Sequence, residues 1–139
     1  MDARHKSYSR LLPDSRTAIL FVHGICGSPA FFEDFYTRVP EHWSIRSLLL
    51  AGHGGSTRDF ARTSMDTWKD QVRKETEALA KTHETVILAG HSMGSLLSIG
   101  QSFETENIKG LFLMAVPLKL HPRPISVLHS TMTALGLNR

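Results

Sequence analysis

The sequence predicts an α/β fold, a mostly parallel sheet flanked by helices. Three observations carry this. Residues 17–22 (TAILFV), 85–89 (TVILA) and 108–116 (IKGLFLMAV) are runs apolar on both faces, as buried parallel strands are. Segments with apolar residues at helical spacing alternate with these runs, as crossover connections require. Glycine or proline closes several of the runs, so the chain turns sharply where strand gives way to helix.

Each element follows in order. The first strong strand, 17–22, ends in His23-Gly24. Ser28 can cap a helix and Pro29 suits its first position. Phe31, Phe32, Phe35 and Val39 continue at helical spacing until Pro40. These phenylalanines read as core in preference to a ligand pocket. Residues 44–50 (SIRSLLL) form a second strand, entering a loop at Ala51-Gly52-His53-Gly54-Gly55-Ser56. No Gly-Lys-Ser/Thr follows, so this loop is not a phosphate loop. A helix begins at Ser64 and runs to about Lys81, with Trp68, Val72 and Leu79 on one face. Strand 85–89 follows, then a small-residue helix from Ser92 to about Phe103, then strand 108–116. Residues 118–124 are punctuated by proline. Ile125, Leu128, Met132 and Leu135 recur at steps of three and four, as in a short amphipathic helix.

Length and composition bound the function. The 139 residues predict one domain, and 41% hydrophobic with 21% charged residues is ordinary globular composition. The polar opening MDARHKSYSR has no signal-peptide core, and the apolar runs are too short to span a bilayer. A cytoplasmic location and no stable membrane insertion are expected. One cysteine, Cys26, cannot form an internal disulfide and reads as a packing residue. The net charge of +3 is dispersed without a basic stripe, so no nucleic-acid partner is expected. The histidines lack zinc-ligand spacing, so neither metal nor cofactor is expected.

The chemistry lies at Gly90-His91-Ser92-Met93-Gly94, a G-x-S-x-G turn. The pentapeptide alone is weak, but here it follows a buried strand and opens a helix, the context a nucleophile turn needs. The competing reading is a plain glycine-rich turn. Ser92 is the candidate nucleophile. The Met93 amide, at the helix start, can face a developing oxyanion. The loop Gly24-Ile25-Cys26-Gly27 can turn the Ile25 amide toward the same place, completing a two-donor oxyanion hole.

Together these stretches resemble the α/β-hydrolase superfamily, and most of all small carboxylesterases and monoacylglycerol lipases. The matching residues are LFVHGICGSPAFF (20–32), LLAGHGGS (49–56), DTWKDQV (66–72), AGHSMGS (89–95) and GLFLMAVP (110–117), in the family's order and spacing. The resemblance implies a serine-dependent, cofactor-free acyl hydrolase acting on a small ester such as a monoacylglycerol or a short-chain ester. It gives Ser92 the role of nucleophile and Ile25 and Met93 the oxyanion amides.

In this family the acid and then the histidine follow the serine, after later strands. Residues 1–117 therefore correspond to the N-terminal portion of the hydrolase core, and 118–139 to the start of a cap region. The expectation is a partial α/β-hydrolase fold, truncated before its C-terminal strands. After Ser92 the acids are Glu104 and Glu106, roughly 18 Å away at the far end of a helix. His121 is the least improbable substitute base. His129 lies on the terminal helix. His53 and Asp59 share a loop that the resemblance implies is structural, and His23 and His91 read as turn-shaping. A bare strand edge beyond 108–116 would favour a dimer or a complementing C-terminal chain. The alternative function is a non-catalytic remnant, or a subunit needing a second chain for the acid and histidine.

Overall fold

The computed structural model describes residues 5–119. Its five strands are β1 (Tyr8–Arg10), β2 (Thr17–Val22), β3 (Ser44–Leu48), β4 (Thr85–His91) and β5 (Ile108–Met114). They lie in the order β1-β3-β2-β4-β5, with β1 antiparallel to β3 and the other pairs parallel. The expected parallel α/β architecture is present. The proposed cap region, His121, His129 and the amphipathic pattern at 125–135 lie outside the described residues, apart from Leu118 and Lys119.

The sheet's two faces carry separate cores. Ala18, Leu20 and Val22 of β2 and Val86 and Leu88 of β4 pack on one face, under Trp68, Val72, Met93 and Leu97. Ile19 and Phe21 point the other way, to Phe32, Tyr36 and Ile45. This alternation is the period-2 consequence of strand geometry. Two-sided burial is why β2 has no polar face.

Helix α3 (Met65–Ala80) closes the first face. The Ser64 hydroxyl accepts the Thr67 amide at 3.2 Å and starts the helix. Trp68, Val72, Thr76 and Leu79 are its buried stripe. Arg46 of β3 reaches Glu75 of α3 through two bonds of 3.0 Å, a fork that fixes where the helix lies along the sheet.

Several elements differ from expectation. The helix expected to begin after Ser28 is a 3₁₀ turn, Pro29–Phe32, followed by one turn of helix, α1 (Glu33–Tyr36). Ser28 makes no side-chain capping bond. Phe32, at φ −102° and ψ 4°, breaks the two pieces apart, and the Tyr36 hydroxyl ties them by donating to the Pro29 carbonyl at 2.9 Å. Strand β3 stops at Leu48, before the expected Leu50. Beyond it the Gln71 side chain takes over the ladder: its amide nitrogen donates to the Leu49 carbonyl at 3.0 Å, and its oxygen accepts from the Ala51 amide at 2.9 Å. β4 runs on through Gly90 and His91, which align with Leu113 and Met114. β5 ends at Met114, short of Val116. The short helix α2 (Thr57–Ala61) is additional, built on a capping box between Ser56 and Asp59.

The connections place the site. β2 feeds the 3₁₀ turn on one face, while its neighbour β4 feeds α4 (Met93–Ser102) on the other. The chain thus parts in opposite directions at the carboxyl ends of two adjacent strands. That crevice is where open α/β sheets bind ligands.

Glycines set how closely the layers approach there. A Cβ on Gly94 would lie 1.9 Å from the Val22 carbonyl oxygen, whereas one on Gly100 meets nothing within 4 Å. Gly94→Ala is therefore expected to abolish the cooperative unfolding transition. Gly100→Ala, on an open helix face, should stabilise by about 0.5–1 kcal/mol. Urea titrations followed by circular dichroism read both, and a tolerated Gly94→Ala would refute the close-packing argument.

Candidate active site

Ser92 sits between β4 and α4 with φ 54° and ψ −119°. A non-glycine residue rarely adopts such a backbone, which stores about 1–3 kcal/mol of strain. Three contacts hold it. Its amide donates to the Met114 carbonyl at 2.9 Å. The Ser95 amide donates back to the Ser92 carbonyl at 2.9 Å. The buried Ser95 hydroxyl lies 2.8 Å from the Gly90 carbonyl and 3.0 Å from that of Met114, bridging the turn to β5. The Ser92 side chain caps nothing, although it stands at the helix start. Its hydroxyl is thus not drawn back into its own helix.

The loop after β2 lies against this turn. A Cβ on Gly24 would be 3.0 Å from Ser92 Cβ and 3.2 Å from His91 Nδ1. Only a bare backbone fits between loop and serine. The Gly27 amide donates to the Gly24 carbonyl at 3.0 Å, closing the loop, and Cys26 turns it at φ 56°. Ile25 lies exposed on this loop, and Met93 is buried at the start of α4. Cys26 is exposed, so the expectation that it is a packing residue is corrected.

The aromatic rim also departs from expectation. Phe32 is fully buried and Phe35 partly, as core residues. Phe31 is 46% exposed and stacks on His91 with centroids 4.0 Å apart. Phe31 is thus an exposed apolar side chain beside His91, and Ile25, 55% exposed, follows Gly24 in the loop that touches Ser92.

Buried histidines serve the scaffold. His23 Nε2 accepts the Leu50 amide at 3.1 Å, so its hydrogen is on Nδ1, donated to the Gly24 carbonyl at 2.8 Å. This neutral ring ties β3's exit to the loop beside Ser92. Burial pushes its pKa down to about 4, against the opposing pull of the Gly24 carbonyl. His53 packs edge-on to His23 and contacts the Ala51 carbonyl at 3.2 Å. Asp59 lies in the first turn of α2 and not on the loop expected to hold it with His53; it accepts from the Ser56 amide and hydroxyl at 2.9 and 2.7 Å. Asp59 is thus committed to the cap of α2. His83 joins Ser44 at 2.8 Å, beside the amino ends of the strands. Among the described residues no group of three His, Cys, Asp or Glu side chains is placed to hold a metal ion. A groove of about 630 Å³ lies elsewhere, between α3 and α4, with Met65, Leu96 and Gly100 in its lining.

Sequence reasoning missed Ser95 and Gln71. Ser95 looks like one more small residue of α4. Gln71 looks like one polar position on the exposed side of α3. Their roles depend on carbonyls brought near by the fold.

With this geometry in place, comparison with known proteins gives the class. The model of the alpha/beta hydrolase family matches residues 19–137, and the chain belongs to that family. Among solved structures, a metagenome-derived lipolytic enzyme from a study of LipS and LipT superposes with a TM-score of 0.76 at 20% identity, covering 91% of this chain and 51% of that one. The thioesterase domain from the curacin biosynthetic pathway gives 0.69 at 21% identity, covering 96% and 50%. MenH from S. aureus gives 0.62 at 16%, covering 87% and 45%. At these identities the likeness establishes the fold. The chain spans about half the length of these structures. No curated protein matches it. Among the described residues no helix is long and apolar enough to cross a membrane.

The buried neutral His23 sets an acid limit. An unfolded histidine takes a proton below its ordinary 6.5, but His23 in the fold resists until about 4. Its contribution is present above pH 6.5 and is lost as pH falls toward 4. Between those values it should remove about 1.4 kcal/mol of stability per pH unit. Urea unfolding at half-unit pH steps measures the slope. His23→Gln should flatten it over that window, and an unchanged slope would assign the effect to other groups.

Proposed function

We propose that the chain carries the nucleophile half of a serine-dependent carboxylic ester hydrolase of the carboxylesterase or monoacylglycerol lipase type. The observation that supports this most directly is the strained backbone of Ser92 at φ 54°, at the carboxyl edge of the sheet, with its hydroxyl outside any helix cap. Strain of this kind at a serine between strand and helix presents its oxygen to a ligand. Ser92 Oγ adds to the ester carbonyl carbon, and the hydroxyl proton passes to a base. The Ile25 and Met93 amides receive the negative charge that forms on the carbonyl oxygen. The bond to the alcohol then breaks, the alcohol leaves with that proton, and water releases the acid from the acyl-serine.

The base and its orienting acid are assigned to polypeptide outside the described residues. His23, His53 and His83 all hold scaffold contacts, and Asp59 holds a cap. The substrate is a small ester with an apolar acyl group, consistent with exposed Ile25 in the loop that touches Ser92 and exposed Phe31 beside His91. The mechanism needs no cofactor. The exposed, unpaired Cys26 fits a reducing, cytoplasmic setting.

A fluorophosphonate probe tests the reading. The 139-residue chain should be labelled slowly at Ser92, and added imidazole should speed labelling by supplying the base. Ser92→Ala should remove the label. A chain that stays unlabelled with and without imidazole, and turns over a short-chain chromogenic ester no better than Ser92→Ala, would instead be a non-catalytic subunit or remnant.

A further inference from the structure

The two candidate oxyanion amides come from separate segments, so their spacing depends on the joint between those segments. Met93 belongs to the serine turn, and Ile25 to the loop after β2. Among the described residues no hydrogen bond joins residues 24–28 to residues 90–94. The loop's bonds stay on its own side: the Gly27 amide and the His23 Nδ1–H both donate to the Gly24 carbonyl. Residues 24–27 therefore form one closed turn, free to shift as a unit against Ser92 unless something else holds it.

Two contacts oppose that shift, one at each end of the segment 24–31, and both involve His91. At the near end the Gly24 backbone lies against His91 and Ser92, so close that a Cβ would be 3.2 Å from His91 Nδ1. At the far end the Phe31 ring stacks on the His91 ring, with centroids 4.0 Å apart and planes at 27°. The core backs this ring. Phe31 meets the fully buried Phe32 edge to face at 5.0 Å, and Phe32 packs on Phe21 of β2 at 4.8 Å. One imidazole, at the end of β4, thus touches both ends of the segment that carries Ile25.

We propose that Phe31 is a positioning residue: given the oxyanion role proposed for the Ile25 amide, its stack on His91 holds that amide at the distance the role needs. Phe32 already supplies the buried side chain of the 3₁₀ turn and fixes it to β2. Phe31 fixes the same turn to β4, the strand that carries the serine. An oxyanion donor acts when it lies about 2.7–3.1 Å from the charge that forms. A misplacement of about 1 Å can cost on the order of 10²-fold in rate. The stack sets that placement without touching the reacting atoms.

The test uses the whole 139-residue chain with Cys26→Ser and Ser92→Cys, which leaves one thiol, at position 92. Near pH 8.5 a thiol forms thiolate without a base. With p-nitrophenyl acetate the sulfur bonds to the carbonyl carbon through an oxyanion, and nitrophenolate leaves. With iodoacetamide it bonds to a saturated carbon, iodide leaves and no oxyanion forms. The ratio of the two rate constants reads the oxyanion amides, and alkylation alone reads the presentation of position 92. Adding Phe31→Ala should lower the ratio about tenfold, with alkylation changed less than about twofold. Phe31→Tyr, which keeps the stack, should restore it. His91→Ala should lower it as far, and both alanines together no further, because each removes the same contact. An unchanged ratio with Phe31→Ala overturns the proposal. So does alkylation falling in step with acylation, which marks a disordered turn. A loss with p-nitrophenyl butyrate but not with the acetate also overturns it, because Phe31 then lines the acyl pocket. If the starting chain's ratio equals that of free glutathione, no oxyanion hole exists, and that result overturns the proposal together with the reading of Ser92 beneath it.

Discussion

Helix α4 must start within contact distance of the neighbouring strand, and Gly94 is where it does so. Its α-carbon faces the Val22 carbonyl so closely that a methyl group would lie inside the oxygen. Gly90 is held almost as tightly against the first turn of α4, where a Cβ would come within 2.6 Å of Ser95. With glycine at both positions, the chain reverses from strand to helix in very few residues. The residue between them cannot follow ordinary backbone geometry, and Ser92 takes up the strain. The strain persists because its surroundings over-determine it. Met114 on one side, Ser95 beneath and the loop at Gly24 on the other leave the serine no relaxed alternative. The position of the candidate nucleophile is thus a packing consequence of β2, β4, β5 and α4 together.

The parts of this arrangement that were legible in the sequence are those written in local pattern. TAILFV and TVILA announce buried strands because both their faces are apolar, and both faces do carry cores. Trp68, Val72 and Leu79 announce the buried stripe of α3. The serine turn is legible because its glycines are demanded by close approach, which a five-residue pattern can encode. Other features had no local signal. β1 is three mostly exposed residues, and α2 is five residues with none buried. Phe31 has the same helical spacing as Phe32, but the chain breaks at Phe32 and leaves Phe31 outside against His91. Gln71 replaces strand neighbours for Leu49 and Ala51, a role created only when α3 docks.

The buried histidines show why residue type alone does not identify a base. An imidazole is attractive to a scaffold as well as to a mechanism, because its neutral form donates at one nitrogen and accepts at the other. His23 uses both, joining a backbone amide beyond β3 to a carbonyl beyond β2 across the gap between parallel strands. Burial holds it neutral, which suits a connector. A general base must instead gain a proton near working pH and have an open nitrogen facing the nucleophile. His23 fails both requirements, although it is adjacent in the fold to the candidate oxyanion loop.

The same topology defines from where Ser92 can be served. One side of the serine turn is filled by the Gly24–Gly27 loop, pressed so close that no side chain fits between. Below it lie the first turn of α4 and the carbonyl of Gly90. The remaining flank is the carboxyl end of β5, where Met114 supplies its carbonyl and Ala115 turns the chain away at φ 50°. A group that reaches Ser92 must therefore approach over β5, or from above the sheet edge. β5 is also the strand whose outer side is uncovered among the described residues. Whatever lies beside β5 thus has two effects at once. It covers Leu111 and Phe112, and it sets the surroundings of the β5 side of Ser92.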